Sequence, residues 1–385
     1  MFVALALFAS AAVYFVHFLP AKIESGFNKV VPHEAYAVSD EAQALHDSLF
    51  VADLHSDSLL WRRDLSEESS VGQMDVPRLM RGNVALQVFS ATTKSPSGQN
   101  YDENTADSDR LTLLTVALLW PPRTWGSIYE RAVYQLERLE KLARDERVDL
   151  IRTRQDLKRL IERRDAGDKV MGAVYLTEGA HPLEGDIDKL DALFDQGLRI
   201  TGLTHFFDNE LGGSLHGVSG EGLTEFGRDV IRRADELGII IDIAHASPAM
   251  VRDVLAMTSR PTILSHGGVK GACDTARNFD DELMLEFAAA GGLLGVGYWD
   301  AAVCDFSPAG VVRAMRYAID LMGIEHVALG SDYDGAVEVK FDTSELAALT
   351  HEMLAQGFSE DEIRAVMGGN VQRFLLDNLP DENAN

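Results

Sequence analysis

Eight short apolar runs recur along the chain, and segments with helical periodicity separate them. Most of the runs are nearly continuous in Val, Ile, Leu and Ala, which is typical of parallel strands covered on both faces. The runs cover residues 49–54, 84–90, 170–176, 199–204, 238–244, 261–265, 293–298 and 326–330. Eight strand–helix units predict an α/β fold, a closed (β/α)8 barrel of the TIM type, and a doubly wound open sheet is the alternative.

The segments between the later runs have the apolar spacing and the Gly stop signals of helices. Helices are predicted at residues 187–197, 224–238, 248–259, 280–290 and 308–323. The connection between strands 2 and 3, residues 91–169, is much longer than the others. It predicts helices at 108–119, 128–147 and 154–164 but has too few apolar residues for a core of its own. We therefore interpret it as a long helical insertion on the barrel.

The chain begins with 18 residues, 2–19, that carry no formal charge apart from His17. That length is barely enough for a helix to cross the hydrocarbon core of a bilayer. A signal peptide would have Lys or Arg before the apolar stretch and a small-x-small cleavage site after it, and neither is present. We predict a membrane anchor in residues 1–20, with a cleaved signal segment as the alternative.

A polar segment separates this start from the first apolar run. Residues 21–46 are predicted to be a linker that leads into a short helix around residues 40–48. The barrel domain is then expected to occupy residues 47–380. Because export is the commonest reason for an apolar start, we expect this domain to be extracytoplasmic, in the periplasm or on the outer face, and tethered by its N-terminal segment.

The composition indicates one large core and an acidic surface. Apolar residue types make up 46% of the 385 residues, and 61 acidic residues oppose 35 basic ones, a net charge of −26. An acidic surface of this kind repels polyanions, so nucleic acid is excluded as a partner. The oligomeric state stays open, a homodimer included.

Polar residues follow six of the eight runs, at the strand ends where barrels of this type place their active sites. His55 and Asp57 leave the first strand on the same side, because side chains alternate along a strand. A single His at a strand end is more often a structural residue than a ligand, but four of the eleven histidines occupy such positions. The full set is His55, Asp57, Glu178, His205, His245, His266 and Asp332.

Imidazole and carboxylate groups are the ligands of Zn²⁺ or a similar divalent ion. These groups outnumber what one tetrahedral ion needs. A carboxylate such as Glu178 can bridge two ions about 3.5–4 Å apart, and water held between such ions becomes hydroxide near neutral pH. The strand ends therefore predict a hydrolase site.

Several segments together resemble the membrane (renal) dipeptidase family, from about residue 47 to 376 and in the same order. The matching motifs are Asp-x-His-x-Asp at 53–57, Thr-Glu-Gly-Ala-His at 177–181, Leu-Thr-His at 203–205, Ile-Asp-Ile-Ala-His-Ala-Ser at 241–247, Ser-His at 265–266, Ala-Arg-Asn-Phe-Asp-Asp at 276–281 and Gly-Ser-Asp-Tyr-Asp-Gly at 330–335. The resemblance implies a zinc-dependent dipeptidase, a metallopeptidase with a small dipeptide substrate.

The resemblance also implies a binuclear zinc site, with two Zn²⁺ per chain. His55 and Asp57 would hold one ion, and His245 and His266 would hold the other. Glu178 would bridge the two ions, and a hydroxide between them would attack the dipeptide carbonyl.

Further roles follow from the same resemblance. His205 would bind substrate and stabilise the oxyanion, and Arg277 would hold the terminal carboxylate of the substrate. Asp332 would bind substrate and pass a proton to the leaving amine. A D-residue at the C-terminal position would be tolerated. Cys273 and Cys304 match positions that are bridged in animal members, and such a disulfide would close about 32 residues and contribute roughly 3–4 kcal/mol.

Two other functions stay open. One is another barrel amidohydrolase, acting on N-acyl amino acids or lactones. Most of those begin with His-x-His and often use a carbamylated Lys after strand four, where this chain has His-x-Asp and His205. The other is a binding protein that retains a metal site without catalysis. We interpret the remaining histidines as structural or surface residues, and His181 as close to Glu178 without being a ligand.

Overall fold

The computed structural model describes residues 18–381. Most of the predicted N-terminal anchor, up to residue 17, lies outside these residues. Within the described range, no helix combines the length and the apolar character needed to cross a bilayer.

Eight parallel strands close into a barrel, which confirms the predicted fold class. Each strand pairs with the next one along the chain, and the eighth pairs with the first through Leu329 and Asp53. Every residue in these strands is buried, which explains why the apolar runs are continuous. The strands are β1 (Val51–Asp53), β2 (Val84–Thr92), β3 (Met171–Glu178), β4 (Leu198–Gly202), β5 (Ile240–Asp242), β6 (Ile263–Gly267), β7 (Leu293–Val296) and β8 (Val327–Leu329).

Helices follow the strands and cover the barrel. They are α1 (Leu19–Phe27), α2 (Asp40–Asp47), α3 (Val76–Arg81), α4 (Leu111–Ala117), α5 (Ile128–Leu142), α6 (Arg154–Asp165), α7 (Asp188–Gln196), α8 (Glu225–Leu237), α9 (Pro248–Met257), α10 (Asp281–Ala289), α11 (Asp300–Val303), α12 (Pro308–Met322), α13 (Ala347–Ala355), α14 (Glu360–Arg364) and α15 (Asn370–Asn378). Single 3₁₀ turns occur at Ser58–Leu60, Pro122–Trp125, His181–Leu183, Ile324–His326 and Thr343–Glu345, and a π-helical turn at Ala365–Gly369.

Polar side chains determine where several barrel helices begin. Ser247, Asp280 and Ser307 precede α9, α10 and α12, and each accepts a hydrogen bond from a backbone N–H of the first turn. Such an N-cap satisfies a donor that the helix itself leaves unpaired. These starts agree with the helix positions predicted from the sequence.

The insertion between β2 and β3 packs on the barrel rather than forming a separate domain. It contains α4, α5, α6 and a short strand, Val148–Leu150, that pairs in parallel with the start of β3. The sequence does not predict this strand, because three residues are too few to show a period. The insertion shares an apolar cluster with the segment after β1, formed by Leu60, Trp61, Leu111, Leu118 and Trp120.

The segment predicted as a linker is folded against the loop that follows β8. Helix α1 occupies its first part, and Lys29–Val30 forms a two-residue parallel ladder with Glu338–Val339. The side chain of Asn28 accepts a hydrogen bond from the backbone N–H of Ala336 at 3.0 Å. The short helix expected around residues 40–48 is α2. The N-terminal segment therefore reaches the side of the barrel that carries Asp332.

Candidate active site

The side chains predicted from the strand ends converge at one mouth of the barrel. A cavity of about 500 Å³ opens there, and His55 lies buried beneath it with no exposed surface. The predicted residues that line this cavity are Asp57, Glu178, His205, His245, His266, Arg277 and Asp332.

Glu178 is the centre of this cluster. Its Oε1 atom lies 3.6 Å from Nε2 of His55 and 3.3 Å from Nε2 of His245. The same oxygen lies 3.5 Å from Nε2 of His266, and the other oxygen, Oε2, lies 3.3 Å from Nε2 of His205. Four imidazoles from four different strand ends therefore surround one carboxylate.

Two further carboxylates approach His55. Its Nε2 atom lies 3.6 Å from Oδ2 of Asp57 and 4.0 Å from Oδ1 of Asp332. This nitrogen is buried and has no hydrogen-bond partner among the described residues. The Oγ1 atom of Thr92 lies 2.8 Å from both Asp57 and Glu178 and so joins the two carboxylates.

The donor set fits divalent metal ions. Three groups of side chains bring their ligand atoms within 4.8 Å of one another: His55 with His266 and Asp332, Glu178 with His205 and His245, and His55 with Asp57 and Glu178. The nitrogen of His55 without a partner points into this arrangement, and nitrogen and oxygen donors of this kind suit zinc. The groups overlap in His55 and Glu178, as expected for ions that share ligands.

Charge and burial oppose each other in this cluster. Burial lowers the pKa of the His55 imidazole, but the surrounding carboxylates outweigh burial and raise that pKa to about 10. Burial raises the pKa of the Glu178 carboxyl, yet the imidazoles of His205 and His55 reverse the shift and hold it below the usual range. Burial raises the pKa of Asp332 well above its usual range despite the charge of His55. The ionised form of Glu178 therefore depends on positive charge beside it.

Two site residues adopt a backbone conformation that L-residues rarely use. His245 has φ 63° and Asp332 has φ 59°. Left-handed residues of this kind cost on the order of 1 kcal/mol and concentrate at functional sites. A Cβ atom on Gly335 would lie 2.1 Å from Oδ1 of Asp332, so the loop after β8 needs glycine where it folds back over this carboxyl.

Residues 39–379 match the family model for membrane dipeptidase, peptidase family M19. The chain belongs to this family of metallopeptidases. It is 32% identical over 218 residues to the dipeptidase AclJ of Aspergillus oryzae, a match that covers 52% of this chain and 50% of that protein. The chain thus spans about half the length of this curated relative.

Solved structures share the fold of this membrane dipeptidase family member. The probable dipeptidase PvdM of Pseudomonas aeruginosa has a TM-score of 0.73 at 19% identity, over 88% of this chain and 97% of that chain. A metallopeptidase of Rhodobacter sphaeroides, bound to a phosphinate mimic of the dipeptide L-Ala-D-Ala, has a TM-score of 0.67 at 22% identity, over 86% and 99%. At these identities the likeness establishes the barrel.

Arg277 lines the cavity of this dipeptidase-family barrel from the loop after β6, beside Trp299. Its guanidinium donates to the backbone oxygen of His266 at 2.8 Å and lies 5.5 Å from the ring of Trp299. It is 2% exposed, burial lowers its pKa, and it pairs with no carboxylate among the described residues. The structure joins Cys273, from the same loop, to Cys304 in a disulfide with Cα atoms 5.5 Å apart.

Several functional contacts are missing from the sequence-based prediction for this family member. The hydroxyl of Ser265 lies 3.1 Å from Nδ1 of His55 and 2.9 Å from Nδ1 of His266, and it donates to Oδ2 of Asp242 at 2.6 Å. Ser265 and Asp242 lie within motifs that resemble the family, but nothing in the sequence assigns them a role. Tyr101, which comes from the insertion and lines the cavity, has no signal of its own.

Two other buried histidines lie near the site without joining it. His181 stacks on Phe207 at 4.6 Å, and burial lowers its pKa to about 3. His216 faces the backbone oxygen of Tyr101 at 2.8 Å, and burial likewise lowers its pKa to about 3. Neither belongs to a group of possible metal ligands among the described residues. Both stay neutral packing residues at neutral pH.

Proposed function

We propose that the protein is a zinc-dependent dipeptidase that holds two zinc ions at the mouth of its barrel. One observation carries the proposal: a single oxygen of Glu178 lies within 3.3–3.6 Å of the Nε2 atoms of His55, His245 and His266. Ligand atoms from separate strands that lie this close together suit two ions that share one bridging carboxylate. Family membership supports the same chemistry.

The two ions would divide the donors between them. His55 and Asp57 would hold one ion, His245 and His266 the other, and Glu178 would bridge both. When bound, the two zinc ions would lower the pKa of a water held between them and polarise the scissile carbonyl. The Thr92 hydroxyl, which contacts Asp57 and Glu178, orients the two carboxylates for this role.

The remaining polar groups act on the substrate. The Nδ1 atom of His205 lies 3.3 Å from the backbone oxygen of Lys94, which orients the ring with Nε2 toward the cavity. There Nε2 would donate a hydrogen bond to the developing oxyanion. Asp332, as a carboxylate, would take a proton from the attacking water and then give it to the departing nitrogen.

Arg277 would bind the carboxylate at the C-terminal end of the dipeptide. A buried guanidinium without an acidic partner needs an anion, and the planar fork of Arg matches a carboxylate. We include a D-residue at this position as a substrate feature, following the L-Ala-D-Ala mimic bound by the Rhodobacter metallopeptidase.

We further propose that the enzyme works outside the cytoplasm and is tethered by residues 1–20. The Cys273–Cys304 disulfide supports this location, because disulfides persist mainly in oxidising compartments. The apolar start of the chain supports the tether.

Hydrolysis of L-Ala-L-Ala and L-Ala-D-Ala, before chelation, after chelation and after zinc add-back, tests the function. We expect cleavage that disappears with the metal and returns with zinc, and two zinc ions per chain by elemental analysis. Asp332→Asn should keep both ions and lose most of its activity. Cleavage of N-acetyl-alanine or a lactone by a protein that leaves both dipeptides intact would overturn the proposal in favour of another amidohydrolase.

A further inference from the structure

The closed barrel determines the direction in which a dipeptide crosses the site. Arg277 follows β6, and in a ring of eight strands β6 stands opposite β2. A dipeptide whose carboxylate binds Arg277, with its peptide carbonyl beside Glu178, therefore extends its amino-terminal residue toward the side of β1 and β2. The groups on that side come from the segment after β1 and from the insertion after β2.

That side of the cavity carries an apolar surface, next to the guanidinium of Arg110, which lies 5.5 Å from the ring of Phe27. Leu60 and Trp61 line this side from the segment after β1, and Leu114 and Ala117 line it from α4 of the insertion. Leu60 and Trp61 are buried and Leu114 packs against them. The proposed metal ligands Asp57, Glu178, His245 and His266 line the same 500 Å³ cavity, so the apolar surface is continuous with the reaction centre.

Helix α1 completes this wall with Ile23 and Phe27. Ile23 packs on the same apolar cluster, and the ring of Phe27 lies 6.0 Å from that of Trp61 with 38% of its surface exposed. Helix α1 ends before residue 39, where the family match begins, so it lies outside the matched domain.

Polar contacts hold α1 in this position. The buried carboxylate of Glu24 lies 2.6 Å from Nε of Arg63, and the guanidinium of Arg63 also binds Asp334 in the loop after β8. The side chain of Asn28 binds the same loop at Ala336. A helix held by buried polar contacts presents its apolar residues to the cavity at a constant position.

We propose that α1 and α4 form an apolar subsite for the side chain of the substrate's amino-terminal residue, and that the enzyme prefers dipeptides with a large aliphatic or aromatic residue there. The proposal rests on the proposed dipeptidase function and adds a substrate class to it. Burial of an apolar side chain in such a subsite favours the larger residue, and each methylene in a hydrophobic pocket is worth about tenfold or more in specificity.

The test compares kcat/KM for Leu-Ala, Ala-Leu and Ala-Ala on the zinc-loaded full chain. We expect Leu-Ala to exceed Ala-Ala by about tenfold or more, and Ala-Leu to gain less, because only the first residue reaches the subsite. Equal values for Leu-Ala and Ala-Ala would overturn the subsite while leaving the dipeptidase function intact. Failure to cleave any of the three would overturn both.

Variants then locate the subsite. Ile23→Ser and Leu114→Ser should each lower the Leu-Ala to Ala-Ala ratio several-fold, and Ala117→Leu should lower it by filling the space without removing a packed side chain. Val116→Ser is the matched control, since Val116 lies on the same helix, is 40% exposed and does not line the cavity. A ratio that is the same in the control and in all three variants would overturn the assignment to α1 and α4.

Discussion

A single hydroxyl group orients two imidazoles of the proposed zinc site. Ser265 donates to Asp242, so its oxygen is left to accept from the Nδ1–H groups of His55 and His266. In the neutral rings that would bind metal, this arrangement places the proton on Nδ1 and directs both Nε2 atoms toward Glu178. Asp242 in turn accepts from the backbone N–H of Ser265 at 2.9 Å. This hydrogen-bonded set of Asp242, Ser265, His55 and His266, which we call the relay, is therefore held by β5 and β6.

Ser265→Ala should weaken zinc binding about 10–100-fold, the usual effect of losing a contact that orients a metal ligand. Competition with a chelator of known affinity measures this loss directly. Ser90→Ala is the matched control, because Ser90 is an equally buried strand serine whose hydroxyl has no partner among the described residues. Equal zinc affinity in the two variants would show that the relay does not orient the ligands.

Arg277 should discriminate between a dipeptide and its C-terminal amide. We expect the wild type to prefer L-Ala-L-Ala over the amide by about 100-fold in kcat/KM, since a charged hydrogen bond contributes about 1.5–3 kcal/mol. Arg277→Met should remove that preference. Arg110→Met is the control, because Arg110 also lines the cavity but lies on the α4 side. The same loss in both variants would contradict a specific carboxylate clamp.

At the scale of elements, the loops above the barrel are tied to one another by contacts between residues far apart in sequence. Helix α1 is tied to the loop after β8 through Glu24 and Arg63, and the Arg277 loop is tied to the segment after β7 through the disulfide. The site is therefore built on loops that the rest of the fold holds in place, which preorganises the groups that bind substrate.

The docking of α1 should depend on pH through Glu24. Burial raises the pKa of this carboxyl to about 7, although Arg63 opposes the shift. Between pH 4.5 and 7 the folded protein keeps a proton that the unfolded chain has lost, so the free energy of unfolding falls as pH rises through this window, by at most about 3 kcal/mol. Glu24→Gln should flatten that slope. Thermal midpoints of both proteins at pH 5 and 7.5 measure it, and parallel pH profiles would contradict the assignment to Glu24.

Removal of the disulfide should destabilise the fold without removing a metal ligand. Cys273→Ser removes the link between two residues 31 positions apart, and loop entropy predicts a loss of roughly 3–4 kcal/mol in the free energy of unfolding. Urea denaturation measures the loss, and reductant should lower the midpoint of the wild type but not that of the variant. A midpoint that neither reductant nor the substitution changes would show that the bridge contributes no stability.

At the scale of the whole molecule, an acidic barrel domain is joined to an apolar N-terminal segment, residues 1–20. The net charge of −26 repels anionic lipid, so membrane attachment would depend on residues 1–20 rather than on the barrel surface. Helix α1 begins at Leu19, within the end of this segment, and lines the cavity, which would place a tether close to the active site.

The full chain should sediment with membranes and need detergent for release, whereas a variant lacking residues 1–17 should stay in solution. The mass of the mature protein distinguishes an anchor from a cleaved signal. A full chain with an intact N-terminus that stays in solution would contradict the tether.

The sequence by itself determined the barrel and most of the candidate site. Parallel strands buried on both faces must be apolar throughout, so all eight appear as runs whose bounds lie within about three residues of the observed strands. The carboxyl ends of such strands meet at one mouth, so His55, Glu178, His245 and His266 could be grouped before any distance was known.

Only the tertiary structure decided what depends on contacts across the barrel. The relay through Ser265, the bridge by Thr92 between Asp57 and Glu178, and the place of α1 in the cavity wall join residues far apart in sequence. A hydroxyl within a strand can have many structural roles, and so can a short helix within a polar segment. The local sequence pattern does not distinguish among these roles. Their roles here follow from distance and burial, which arise when the sheet closes on itself.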